Sequence, residues 1–115
     1  MLLRLNDQDP APLYQQIAAA VRRALTDGEL TAGDRLPPAR SLATSLGVNM
    51  HTVLRSYAEL EREGLVRMRR GRGVSVTDQA PDRARLWELA RELTREAHRL
   101  GVVRRELIDM LGELP

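Results

Sequence analysis

Cysteine and lysine are both absent from these 115 residues. Without cysteine there is no disulfide framework, no thiolate nucleophile and no thiolate-held metal. No apolar run approaches the roughly 18 residues of a membrane-spanning helix. The opening Met1-Leu-Leu-Arg-Leu-Asn-Asp lacks the long apolar stretch and small-residue cleavage site of a secretory signal. A cytoplasmic location and no membrane partner are therefore expected. Also missing are a glycine-rich phosphate loop, a nucleophile elbow, zinc spacing and a paired-acid pocket. No enzyme, no catalytic residue and no cofactor are expected. His51 and His98 stand alone, so no metal site is expected either.

What is present is an ordinary globular balance, 43% hydrophobic and 30% charged, which argues against disorder. The net charge of +2 does not by itself point to nucleic acid; its distribution says more. All 18 basic residues are arginine, and four of them fall within residues 67–72. Codon bias in a high-GC genome accounts for the chain-wide preference. The local cluster asks for another reason, because arginine forks phosphates with a fixed planar geometry.

Residues 1–12 hold two prolines and read as an extended arm. From Leu13 a helical period begins, with Leu13, Ile17, Ala20, Val21 and Leu25 on one stripe and Gln15, Gln16, Arg22 and Arg23 largely opposite. Asp27-Gly28 ends it. Residues 30–38 form a turn-rich connector with a very short strand at Arg35-Leu36. A short helix follows over 39–46, then a tight turn at Gly47-Val48 and Asn49 as N-cap. The next helix covers 50–63, with Val53, Leu54, Tyr57 and Leu60 as its apolar face, and Gly64 stops it. Two helices joined by a glycine-containing turn make a helix-turn-helix.

The period then changes to alternation. Residues 65–69 and 74–76 flank Arg70-Gly71-Arg72-Gly73, a hairpin with an arginine-bearing tip. Helix pair and hairpin in this order predict a mostly α fold with a small β-wing: a winged helix-turn-helix over residues 1–78, with its core at about 11–78. After a linker at 77–81, helices over 81–100 and 104–112 form a C-terminal two-helix dimerisation segment within 79–115. Neither helix can bury its apolar face alone. Leu86, Trp87, Leu89, Ala90, Leu93, Ala97, Leu100, Leu107 and Leu111 are the expected dimerisation residues, against the winged domain or a second copy of the chain. Trp87 and Tyr14 read as core or interface aromatics. The run of Glu88, Glu92 and Glu96 with Arg91, Arg95 and Arg99 reads as a solvated, ion-paired face.

Four stretches between Pro12 and Gly73 resemble the winged helix-turn-helix of the GntR family. They are Pro12-Leu-Tyr-Gln-Gln-Ile, Gly33-Asp-Arg-Leu-Pro-Pro-Ala-Arg40-Ser-Leu-Ala, Leu46-Gly-Val-Asn-Met-His-Thr-Val, and Glu59-Leu-Glu-Arg-Glu-Gly-Leu-Val leading to Gly71-Arg-Gly73. Asn49, Thr52, Val53, Arg55 and Tyr57, with the short tail, look most like the YtrA subfamily. That resemblance implies a small dimeric repressor acting on double-stranded DNA, and a DNA-contacting role for Arg40.

The residues themselves place Asn49, Met50, His51 and Thr52 on the turn that enters the major groove, with Arg55 able to fork a guanine. Arg70, Gly71, Arg72 and Gly73 would approach the backbone or a narrow minor groove. Bland readings stand beside these. Asn49 is an N-cap before it is a base contact. Met50 departs from the arginine or proline common in the family, and either touches a thymine methyl or faces solvent. Arg69 and Arg70 read equally as edge-strand charges. Two-fold symmetry would match a homodimer to an inverted-repeat operator. A small-molecule effector would have to bind at the dimer interface or between tail and head. The competing function is a winged-helix protein-interaction module without DNA binding.

Overall fold

A computed structural model describes residues 5–6 and 8–115. Residues 1–4 and 7 of the expected arm lie outside the described residues. The chain divides into two compact units, one ending at Arg85 and the other comprising Leu86–Pro115.

The first unit opens with a segment that folds back instead of extending. Ala11 N–H donates to Asp9 Oδ1 at 2.8 Å, and Gln8 N–H to Asn6 Oδ1 at 2.9 Å. Gln16, read as solvent-facing, clamps this segment: its Oε1 accepts from Asn6 N–H at 2.9 Å and its Nε2 donates to Ala11 O at 3.0 Å. Helix α1 (Leu13–Thr26) then buries Ile17, Ala20, Val21 and Leu25, as its period requires, while Leu13 stays partly exposed.

Arg22 corrects the expected polar face. It is only 3% exposed, and it forks the buried Glu63 through Nε–Oε1 and Nη2–Oε2 contacts of 2.7 Å each. A buried guanidinium is tolerated because a planar, bidentate carboxylate replaces its water.

Strand β1 (Arg35–Leu36) and helix α2 (Ala39–Leu46) follow, then α3 (Met50–Arg62). Gly47, at φ 68°, takes the left-handed conformation that closes α2, and Val48 N–H reaches back to Ala43 O at 3.0 Å. Glycine has no Cβ to oppose that φ. Helix α3 buries Val53, Tyr57 and Leu60 completely. Leu54, expected among them, is 38% exposed, and Ser56 occupies the inward position instead. At roughly 100° per residue, Leu54 turns away from a face centred on Val53, Ser56 and Leu60. Tyr57 donates its hydroxyl to Pro37 O at 2.7 Å; burial pushes its pKa up to about 12, so the phenol stays a donor.

Strands β2 (Val66–Arg69) and β3 (Gly73–Val76) form the hairpin, one residue off the expected ends at Leu65 and Val74. The antiparallel order is β1-β3-β2. Arg35 and Arg67 both pair with Ser75, and Leu36 and Met68 with Val74. Leu36, Val66, Val74 and Val76 point into the core and Arg35, Arg67 and Arg69 outward, the period-2 alternation of a half-buried sheet.

Helix α4 (Ala80–Arg99) begins inside the stretch expected as a linker. Ala80 and Ala84 are fully buried, so the end of that stretch belongs to the core of the first unit. Pro81 is accommodated in the first turn, where no intrahelical N–H bond is lost.

In the second unit α4 ends at Gly101, φ 75°, with Val102 N–H bonded to Ala97 O at 2.8 Å; α5 (Arg104–Gly112) follows. Arg99 pairs with Glu96 one turn earlier, which lowers the Glu96 pKa and raises that of Arg99. No helix among the described residues is long and apolar enough to cross a membrane.

Candidate nucleic-acid interface

The outward face of α3 is defined by elimination, since its inward face is sealed. Asn49 starts the helix: it sits at φ −68°, ψ 138°, and its Oδ1 accepts the His51 N–H at 2.8 Å. Such a cap contributes about 0.5–2 kcal/mol by satisfying one of the orphan donors of the first turn. The capping role read from sequence is therefore real, and it holds the side chain close to its own helix end.

His51, Leu54 and Arg55 are exposed, while Met50 and Thr52 are half-buried. Met50 thus neither projects fully nor joins the core. Leu54 was missed as a surface residue because its hydropathy suggested the core. The spacing held the signal: it lies three residues after His51 and four before Ala58, both of them exposed.

Arg55 does not project freely. Its Cζ lies 3.8 Å from the centroid of the Tyr14 ring, a cation–π contact worth about 0.5–1 kcal/mol at an exposed site. Tyr14 is itself held against α3, because Ser56 Oγ donates to its carbonyl at 2.7 Å. Gln15 Nε2 reaches its hydroxyl at 3.2 Å. The pairing of Tyr14 with Arg55 spans 41 positions, and periodicity carries no trace of it.

Arg40 is exposed in the first turn of α2, whose N-terminus has no side-chain cap. Its N–H groups remain open to water or to an anion.

At the wing tip, Arg72 N–H closes a turn to Arg69 O at 3.0 Å. Gly71 sits at φ 77° and Gly73 at φ 80°, values that other residues adopt only with strain. Arg70, Gly71, Arg72 and Gly73 are all exposed. The edge strand β2 is closed near its middle, where Met68 N–H donates to Glu61 Oε2 at 2.8 Å.

The buried Arg22–Glu63 fork supports this surface from behind. It joins α1 to the C-cap of α3, just before the chain enters the wing.

Of the expected dimerisation residues, Leu86, Leu89, Ala90, Leu93, Leu100 and Leu111 are exposed. Trp87 and Leu107 are half-buried, and Ala97 is already buried within its own chain. Leu107 and Ala97 line an open recess of about 470 Å³ with Thr94, His98, Gly101 and Val103.

Known proteins place this arrangement. The model of the GntR family of bacterial regulatory proteins matches residues 13–76. The HTH-type transcriptional repressor YtrA of Bacillus subtilis (strain 168) is 30% identical, over 98% of this chain and 92% of its own length. The solved structure of YtrA from Sulfolobus acidocaldarius, a GntR-family transcription factor, has a TM-score of 0.65 at 32% identity, covering 82% of this chain and 99% of that one. The DNA-binding domain of AraR, solved in complex with operator ORX1, shares the fold at TM-score 0.59 and 24% identity, covering 65% of this chain and 96% of that one.

Proposed function

This chain belongs to the GntR family of bacterial regulatory proteins and is YtrA-like within it, and from that membership we propose that it is a homodimeric repressor reading an inverted-repeat operator. The family consists of transcription regulators with a DNA-binding winged helix, not enzymes. In this reading the first turns of α3 enter the major groove, with Asn49, Met50, His51, Thr52 and Arg55 toward the DNA. Leu54, exposed beside them, joins that set. Arg40 meets the phosphates from the start of α2, and Arg70, Gly71, Arg72 and Gly73 approach the backbone or minor groove from the wing.

The observation that carries the reading is the division of α3. Val53, Tyr57 and Leu60 are wholly buried, while His51, Leu54 and Arg55 are left outward in its first two turns. A helix so held presents its outer residues rigidly, which lowers the ordering cost of binding.

The second unit supports the reading of two copies. Leu86, Leu89 and Leu93 recur on α4 at helical spacing, Leu100 follows its last residue, and all four are exposed, the apolar face a two-fold interface would cover. Two heads related by that axis require half-sites related the same way.

A selection of genome fragments with the wild-type protein, beside the Arg55→Ala, Arg72→Ala double variant, tests this. The expected result is an inverted repeat recovered by wild type and lost by the variant. No enrichment by wild type at low salt, where phosphate contacts are strongest, would refute the proposal. Expression from the recovered promoter should rise when the protein is removed; a fall would make it an activator.

A further inference from the structure

Across the three-stranded sheet, Arg35 and Arg67 stand on opposite sides of Ser75 in the same cross-strand row. Arg69, two residues along β2, shares their face and lies opposite Gly73, which offers no side chain. All three arginines are exposed, and among the described residues none makes a side-chain hydrogen bond or ion pair.

The strand spacing puts Arg35 and Arg67 about 10 Å apart, and the strand rise puts Arg67 and Arg69 about 7 Å apart. Like charges so close repel one another, and the neighbouring carboxylates of Asp34 and Glu61 bond backbone N–H groups rather than these arginines. Asp34 turns its carboxylate to Thr31 N–H at 2.9 Å, and Glu61 turns its own to Met68 N–H. Asp78 lies at the rim, lining a shallow recess of about 190 Å³ with Arg67, Arg69 and Ser75.

From this face we infer that the outer surface of the sheet is a phosphate track, which holds duplex DNA flanking the operator half-site. The inference rests on the operator-binding reading given above. Two features favour a polyanion over a small one. The arginines are spread over an open face, with separations of about 7–10 Å that a phosphodiester chain can span and one small anion cannot. Strands β2 and β3 also run directly into the tip at Arg70 and Arg72, so the wing that meets DNA delivers it to this surface. Contacts of this kind raise affinity and steepen its salt dependence without reading sequence.

The test compares two duplexes, one holding only the selected operator and one extended by a helical turn at each end. Each is titrated over a salt series with wild type and with an Arg35→Gln, Arg67→Gln, Arg69→Gln variant. Each phosphate contact adds about 0.9 to the slope of log affinity against log salt. Wild type should therefore gain about 2–3 in slope per head on the long duplex. The variant should lose that gain and match wild type on the short one.

An equal gain in the variant, or no gain in wild type, would overturn the inference. A loss of slope as large on the short duplex as on the long one would move these arginines into the half-site and overturn the flanking assignment. Failure of wild type to bind either duplex would instead overturn the operator-binding reading, and this inference would fall with it.

Discussion

The two units of this chain treat apolar side chains in opposite ways. Among the described residues, every buried apolar one except Ala97 lies in the first unit. Nine of the eleven exposed large apolar residues among the described ones lie between positions 86 and 115. The first unit closes a core from three helices, a sheet and the start of α4. The second has two amphipathic helices, too few to enclose their own leucines. A patterned apolar face left uncovered marks an interaction surface. The head is thus specified by its own packing, and in the proposed dimer the tail is completed by a second copy.

Substitutions at the proposed tail interface should separate the two units most sharply. Leu89→Ala with Leu93→Ala removes four leucines from a two-fold interface, at roughly 1.5 kcal/mol each, or about 6 kcal/mol of association. Sedimentation should show monomers at concentrations where wild type is dimeric, with the head's hydrogen-exchange protection unchanged. A variant that remained dimeric would place the interface elsewhere.

The head should fail from within. Glu63→Ala leaves the Arg22 guanidinium buried without its partner, which costs about 3–5 kcal/mol, read by denaturant melting. The paired change Arg22→Met, Glu63→Leu should recover most of that loss, because an apolar pair of similar volume carries no desolvation penalty. Equal destabilisation by both variants would show that shape, not charge, decides the site.

The smallest effect should come from the platform beneath Arg55. Tyr14→Leu keeps bulk but removes the ring face, and operator affinity should fall about 2–5-fold, in line with a cation–π contact of about 0.5–1 kcal/mol. Tyr14→Phe should bind as wild type in fluorescence anisotropy. Loss in both would assign the effect to the Tyr14 hydroxyl.

Much of the head is legible in its sequence. The helix ends follow from Gly47, Gly64 and Asn49 because capping is local chemistry. The wing follows from alternation around glycines at 71 and 73. Other features were not legible, each for its own reason. Arg22 carries a charge, so hydropathy assigns it to solvent, and only Glu63, 41 residues away, makes its burial tolerable. Leu54 is apolar, so hydropathy assigns it inward; only the turn of about 100° per residue, which carries it off the face shared by Val53, Ser56 and Leu60, marks it as outward. Residues 77–81 have the composition of a linker, but Ala80 is small enough to enter the core and begin a helix there.

Element types and their order are written locally, because periodicity, caps and turn residues act within a few positions of one another. Tertiary structure alone decided the partners: Arg22 with Glu63, Arg55 on Tyr14, and three arginines on one outer sheet face. Those pairings depend on the angles at which elements pack and on strand register. Such distances between residues far apart in the chain follow only from the closed core.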